Sequence, residues 1–210
     1  MSSFEIGIDP ARKSCGYLTP SELSLVSSEM GFHVLDLYST LVSPGVEIGR
    51  DTVLYPGVVI LRDSMSQVSL GEANQLWPST IIMATNGGQV AIGDNNGLGP
   101  GGLQLKANYS NSSITVGDHT RLLNAPEIVG VTRIGSGAQI IGAVAVQSCT
   151  LAGGEDFTHP DPDRRGSVLK GTGLARNVTL GKGEVVNGLG DFNLAPVERQ
   201  SKYHPKAPSA

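Results

Sequence analysis

The sequence has little charge, few aromatic rings and almost no cysteine, and each shortage narrows what the protein can be. Charged residues make up 16% of 210, neither lysine nor arginine forms a run, and the formal net charge is −4. No basic surface is therefore expected to attract nucleic acid or an anionic membrane. Cys15 and Cys149 lie far apart without a CxxC companion, so neither a disulfide framework nor a thiolate zinc site is expected. No stretch reaches the roughly 18 apolar residues of a spanning helix, and membrane insertion is not expected. Residues 1–9 lack the basic and apolar regions of a secretory signal, which makes the cytoplasm the expected location.

Aromatics are only 5% of the chain, while glycine contributes 28 residues and hydrophobic residues 39%. That hydrophobic content excludes a disordered chain. The glycine has an order to it. Aligned on an aliphatic residue followed by Gly, the chain reads IGRDTVLYPGVVILRDSMSQVS from Ile48, LGEANQLWPSTIIMATNGGQVA from Leu70 and IGDNNGLGPGGLQLKANYSNSSIT from Ile92. VGDHTRLLNAPEIVGVTR from Val116 and IGSGAQIIGAVAVQSCTLAGG from Ile134 follow.

Within these units an aliphatic residue recurs at every sixth position: Val42, Ile48, Leu54, Ile60; Leu70, Leu76, Ile82; Ile92, Leu98; Val116, Leu122, Ile128; Ile134, Ile140, Val146. The step returns as Val168, Leu174, Leu180, Val186 and Phe192, and only Gln104, Ala152 and Phe192 are not Val, Ile or Leu. Pro56, Pro78 and Pro100, with Asn124 after them, fall at one place in successive units and suit corners. A period of six fits neither a helix nor a long alternating strand. It suits short strands joined by tight corners, three to a coil, with each sixth residue pointing inward onto its neighbours in adjacent coils.

These hexapeptides resemble the [LIV]-G-x-x-x-x repeats of left-handed parallel β-helix proteins, the hexapeptide-repeat or isoleucine-patch transferases. The expected fold class is all-β: a β-helix solenoid over 42–192, a short N-terminal helical cap within 1–41, and an irregular tail over 193–210. In the cap, Thr19 and Glu22 form a capping-box pattern ahead of Gly31, with Leu23, Val26 and Met30 on one helix face. Left-handedness comes from the resemblance alone, since ordinary crossovers are right-handed.

Steps between marked units are 22, 22, 24 and 18 residues. Three coils therefore carry inserts, expected to stack as a ridge along one edge, either as ordinary loop tolerance at a corner or as the wall of a groove. Glu72, Asp94 and Asp118 share one corner column beside His119, as an acidic ladder or as solvated corner residues. The longest interruption, 153–167, holds FTHPDPDRRG, whose prolines and charges cannot enter an interior column.

The resemblance implies an acyltransferase that moves an acetyl or other acyl group from a coenzyme A-type thioester to an amine or hydroxyl of a small molecule. It also implies a homotrimer with sites between prisms and a histidine base. His159 and His119 are the catalytic candidates. Asp161 and Asp163 stand near enough in sequence to orient His159. Arg164 and Arg165 can pair a phosphate of an acyl-CoA donor or a substrate carboxylate. No local signature of the sugar acetyltransferases is present. Arg62–Asp63 looks like the RxD region of γ-class carbonic anhydrases, but the three zinc histidines are missing, so no metal is expected. A noncatalytic trimeric scaffold is the alternative.

Overall fold

The structure is a computed structural model and describes residues 3–204. Its body is a parallel β-solenoid in which each coil contributes short strands to three faces. The first face stacks His33–Val34, Val53–Leu54, Gln75–Leu76, Gly97–Leu98, Arg121–Leu123 and Gln139–Ile141 under the start of Val168–Arg176 and Glu184–Asp191. The second runs from Leu41–Val42 to Val144–Gln147 and the end of Val168–Arg176, which joins the two faces into one 15-stranded sheet. The third is a separate 7-stranded sheet from Glu47–Ile48 to Thr179–Leu180.

Pairing is in register, so the sixth-position residues lie one above another: Leu54, Leu76, Leu98, Leu122, Ile140 on the first face. Ile48, Leu70, Ile92, Val116 and Ile134 do the same on the third. All of these are buried, and each contributes about 1.5–3 kcal/mol by leaving water.

Three positions depart from the expected register by one residue. The column residue is Leu105, not Gln104, because one extra residue enters at the Gly101–Gly102 corner, where φ is 87° and 91°. Leu151 replaces Ala152, and Leu169 with Ala175 replaces Val168 with Leu174. Strand side chains alternate between faces, so a shift of one residue exchanges inside for outside. Val168 is still buried, because the C-terminal segment covers it from outside. Phe192 lies in a short 3₁₀ turn against Gly188 and plugs the last coil.

The corner between the third and first faces holds a buried polar file. Asn74 N–H donates to Thr52 Oγ1 at 3.2 Å, Asn96 N–H to Asn74 Oδ1 at 3.0 Å, and Thr120 N–H to Asn96 Oδ1 at 2.7 Å. These bonds satisfy backbone donors where strand pairing lapses at the bend. Asn74 Nδ2 adds bonds to the carbonyls of Gly71 and Gly93.

The inserts lengthen strands on the second and third faces, and their projecting ridge is filled by Val68, Ala84, Val90, Ala107 and Ile114. The ridge stands at the corner between those two faces. It does not flank the corner that carries His119, so it does not wall that residue's groove.

Two helices precede the coils, α1 (Ser3–Ser14) and α2 (Pro20–Met30). The capping box at Thr19 and the αL Gly31 end α2 as the sequence suggests. Leu23 is buried and Val26 packs on the core, but Met30 is 50% exposed and turns away from the coil. α1 was not anticipated, and Arg12 ties it down by donating to the carbonyls of Leu18, Leu37 and Tyr38. At the other end Val197–Arg199 pairs antiparallel with Glu184–Asp191. The tail expected over 193–210 carries this short strand and short 3₁₀ turns up to residue 204, and 205–210 lie outside the described residues. Among the described residues no helix is long and apolar enough to cross a membrane.

Two substitutions in one coil separate the contributions of column and corner. Leu76→Ala is expected to cost about 2–5 kcal/mol through lost burial and the cavity left behind. Asn74→Ala is expected to cost about 1–3 kcal/mol for each backbone group it orphans. Urea unfolding midpoints at constant m-value measure both.

Candidate functional site

Each coil turns from the third face to the first through a left-handed residue three places after its marker: Asp51, Ala73, Asn95 and His119, with φ of 58°, 53°, 57° and 53°. An L-residue there has its side chain thrown outward, and Asn tolerates the position best among non-glycines. His119 consequently presents an exposed imidazole from a rigid corner, where its backbone N–H donates to the Asp94 carbonyl at 2.9 Å.

Below His119 lies a cavity of about 420 Å³ floored by the outward positions of the first face, Gln75, Gly97 and Arg121, and edged by Asn95. A Cβ at Gly97 would meet nothing within 4 Å, so this glycine opens the floor. The far wall comes from the long loop: Asp156 and Phe157 fold back over the face, and the Arg121 guanidinium lies 4.2 Å from the Phe157 ring centroid. The Asp156 carboxylate accepts from Thr158 N–H at 2.7 Å and Thr158 Oγ1 at 2.5 Å. These bonds hold it below the usual carboxylate range.

The rest of the loop is fastened by its own polar residues. Glu155 N–H donates to the Arg164 carbonyl and Gly166 N–H to the Glu155 carbonyl, both at 2.9 Å, which closes the loop's base. His159 Nδ1 meets Asp161 N–H at 3.2 Å, and its carbonyl accepts from Arg165 Nε at 2.8 Å. Asp161 caps the Pro162–Arg164 turn by accepting from Asp163 N–H. Arg164 pairs with Glu155 at 3.2 Å. Asp163 accepts from Ser201 N–H at 3.0 Å and faces Arg199 at 3.5 Å, so it clasps the C-terminal segment. Of these residues Arg165 lines a second cavity, beyond Arg121. His119 and His159 do not share a cavity.

The acidic column is a backbone clasp. Asp94 Oδ1 accepts from Glu72 N–H at 2.7 Å, Asp118 Oδ1 from Asp94 N–H at 2.8 Å, and Ser136 Oγ from Asp118 N–H at 3.0 Å. Arg62 and Asp63 are likewise occupied locally: Arg62 donates to the Gly45 carbonyl, and Asp63 accepts from Met65 and Asn86 N–H. Among the described residues no group of three or more His, Cys, Asp or Glu side chains is gathered to hold a metal.

Sequence reasoning passed over Arg121, Gln75, Gly97, Asp156 and Phe157. The first three were within reach, since each stands five places after its marker, where an outward side chain on the first face must fall. The fold-back of Asp156 and Phe157 had no such signal.

A parallel β-solenoid built on hexapeptides fits the left-handed β-helix transferase superfamily. No family model matches the chain. Over 31 residues, 15% of this chain, it is 52% identical to the bifunctional protein GlmU of Caldicellulosiruptor saccharolyticus. The match spans only 7% of that protein's length.

Because Asp163 accepts Ser201 N–H in the fold, its carboxyl titrates below the ordinary value of 3.8. Its contribution is complete above that value and is lost as the pH falls through the lowered, folded pKa. The amide resonance of Ser201 is therefore expected to shift on acidification below pH 3.8, following Asp163. Asp163→Ala should raise hydrogen exchange over 200–204 at neutral pH and leave the coil amides protected.

Proposed function

We propose that the chain is a hexapeptide-repeat acyltransferase that carries an acetyl or other acyl group from a coenzyme A-type thioester to an amine or hydroxyl of a small molecule. The observation that carries this is that the His119 imidazole and the Asp156 carboxylate line one cavity whose floor Gly97 opens. The local match to GlmU, an acetyltransferase with hexapeptide repeats, supports the same class.

His119 acts as general base. It takes the proton of the acceptor O–H or N–H as the acceptor atom bonds to the thioester carbonyl carbon. Asp156 stabilises the resulting imidazolium. The side-chain amides of Gln75 and Asn95 line the same cavity and donate to the oxyanion of the tetrahedral intermediate. As the C–S bond breaks, His119 returns the proton to the departing thiolate, leaving an ester or amide and a free thiol. His159 is the second candidate base, on the loop whose Asp161, Asp163, Arg164 and Arg165 hold its shape. The assembly we propose is the family's homotrimer, with the first-face groove completed by a neighbouring prism and the left hand of the family's coils.

The test is thermal stabilisation by acetyl-CoA, longer acyl-CoA thioesters and free coenzyme A, followed by thiol release with a panel of amine and hydroxyl acceptors. His119→Asn is the informative variant, because Asn95 already occupies the same left-handed corner one coil earlier. It should keep the native melting temperature and lower kcat roughly 10²–10⁴-fold. Gly97→Leu should fold, since its Cβ has room, and should abolish donor binding by filling the floor. A flat response to every thioester and to free coenzyme A sinks the acyltransferase reading and leaves the noncatalytic scaffold. Loss of kcat in His159→Ala but not in His119→Asn would move the base to the loop.

A further inference from the structure

Beyond Arg121 the first face carries a second cavity of about 260 Å³. Its floor continues the same outward column through Gln139, Val168 and Val185, with Ile141 and Lys170 in the next file. Its roof is the C-terminal segment: Gln200, buried and donating to the Gly166 carbonyl at 2.6 Å, together with Tyr203 and His204. Phe157 and Arg121 stand between this cavity and the one beneath His119 and line both.

The charge in this cavity is one-sided. Arg121, Arg165 and Lys170 line it together with His204, and no carboxylate does. None of the three Arg and Lys side chains is within salt-bridge distance of an Asp or Glu among the described residues, whereas Lys13, Lys106, Arg164, Arg199 and Lys202 all are. Arg121 and Lys170 rest instead on aromatic faces, Phe157 at 4.2 Å and Tyr203 at 5.0 Å. Those contacts hold the cations in place without neutralising them. The Tyr203 hydroxyl is itself committed to Glu198, which leaves its ring to Lys170. Arg121 and Lys170 stand two coils apart and two residues apart along the strand direction, roughly 12 Å by strand spacing and rise, a gap that their long side chains span from both sides of one small anion.

We propose that this second cavity is an oxyanion subsite in which Arg121, Lys170 and Arg165 hold a carboxylate or phosphate group of the acceptor, whose amine or hydroxyl then lies beneath His119. The proposal rests on the acyltransferase reading for the word acceptor, but not for the anion. The volume is below the roughly 300–1,000 Å³ of a pocket that encloses a whole drug-sized ligand, so it takes a head group. The guanidinium of Arg121, common to both cavities, sets the distance between that head group and the reacting atom.

The anion is tested without any catalysis, with inorganic phosphate titrated into the full chain and followed by backbone amide NMR. Saturable shifts are expected at residues 121, 139, 168–170 and 200–203. Binding should weaken about tenfold or more in Arg121→Gln and Lys170→Met, as befits loss of a charge-assisted hydrogen bond. It should be unchanged in Lys182→Met, an exposed lysine outside the cavity. No shift around the cavity, or shifts indifferent to Arg121 and Lys170, overturns the subsite.

The source of the anion is read separately. Coenzyme A and 3′-dephospho-coenzyme A should each bind Lys170→Met as they bind the native chain. If Lys170→Met weakens coenzyme A but not its dephosphorylated form, the anion belongs to the donor and the acceptor assignment falls. Among acceptor pairs differing only by a carboxylate or phosphate, the anionic member should show the lower KM, and Lys170→Met should raise that KM about tenfold with kcat retained. Turnover that favours the neutral members overturns the assignment. Phosphate binding without turnover of any acceptor would sink the acyltransferase reading while leaving the anion site standing.

Discussion

Everything in this protein hangs on the stacking of one aliphatic side chain on the equivalent side chain of the next coil. A short strand of two to five residues cannot hold itself together in water. Here every strand between the sheet edges is paired on both sides, and its inward residue joins a column such as Leu54, Leu76, Leu98, Leu122, Ile140. The columns require the coils to remain in register, and register fixes where every outward side chain falls. The groove on the first face is a by-product of that regularity: Gln75, Gly97, Arg121, Gln139 and Val168 are successive outward positions.

The corners supply the second constraint. Strand pairing lapses at each bend, and the donors it leaves are met by Thr52, Asn74 and Asn96 inside and by Asp94, Asp118 and Ser136 outside. This accounts for why the aspartates of the acidic column are structural: the carboxylates of Asp94 and Asp118 are already engaged by backbone N–H groups. His119 differs from the column beside it. Its side chain is not drawn into the backbone clasp, and the left-handed conformation holds it out over the cavity.

The long loop and the C-terminal segment build what the coils cannot. The long loop is tied at its base by Glu155 and at its tip by Asp161, and Asp163 uses it to anchor the C-terminal segment. Together they roof one end of the first face. A flat, one-sided groove becomes two adjoining cavities with Arg121 and Phe157 between them. The charged loop residues that stand out in the sequence mostly serve this construction, and the residues that reach the groove are the inconspicuous Asp156 and Phe157.

The solenoid, its corners and the helix at Thr19 were all legible in the chain, because a six-residue period and a capping box are local patterns that state their own geometry. Register slipped where a corner gained a residue, as at Gly102, or lost one, as between Val146 and Leu151, leaving the period intact on one side and shifted on the other. Which residues meet across the groove was decided by tertiary structure alone. Asp156 is nearly forty positions from His119, and nothing periodic links them. Their approach depends on how the loop closes on itself and where the C-terminal segment presses it, and these are contacts between aperiodic segments. Repetition determined the frame; the parts that do not repeat determined the site.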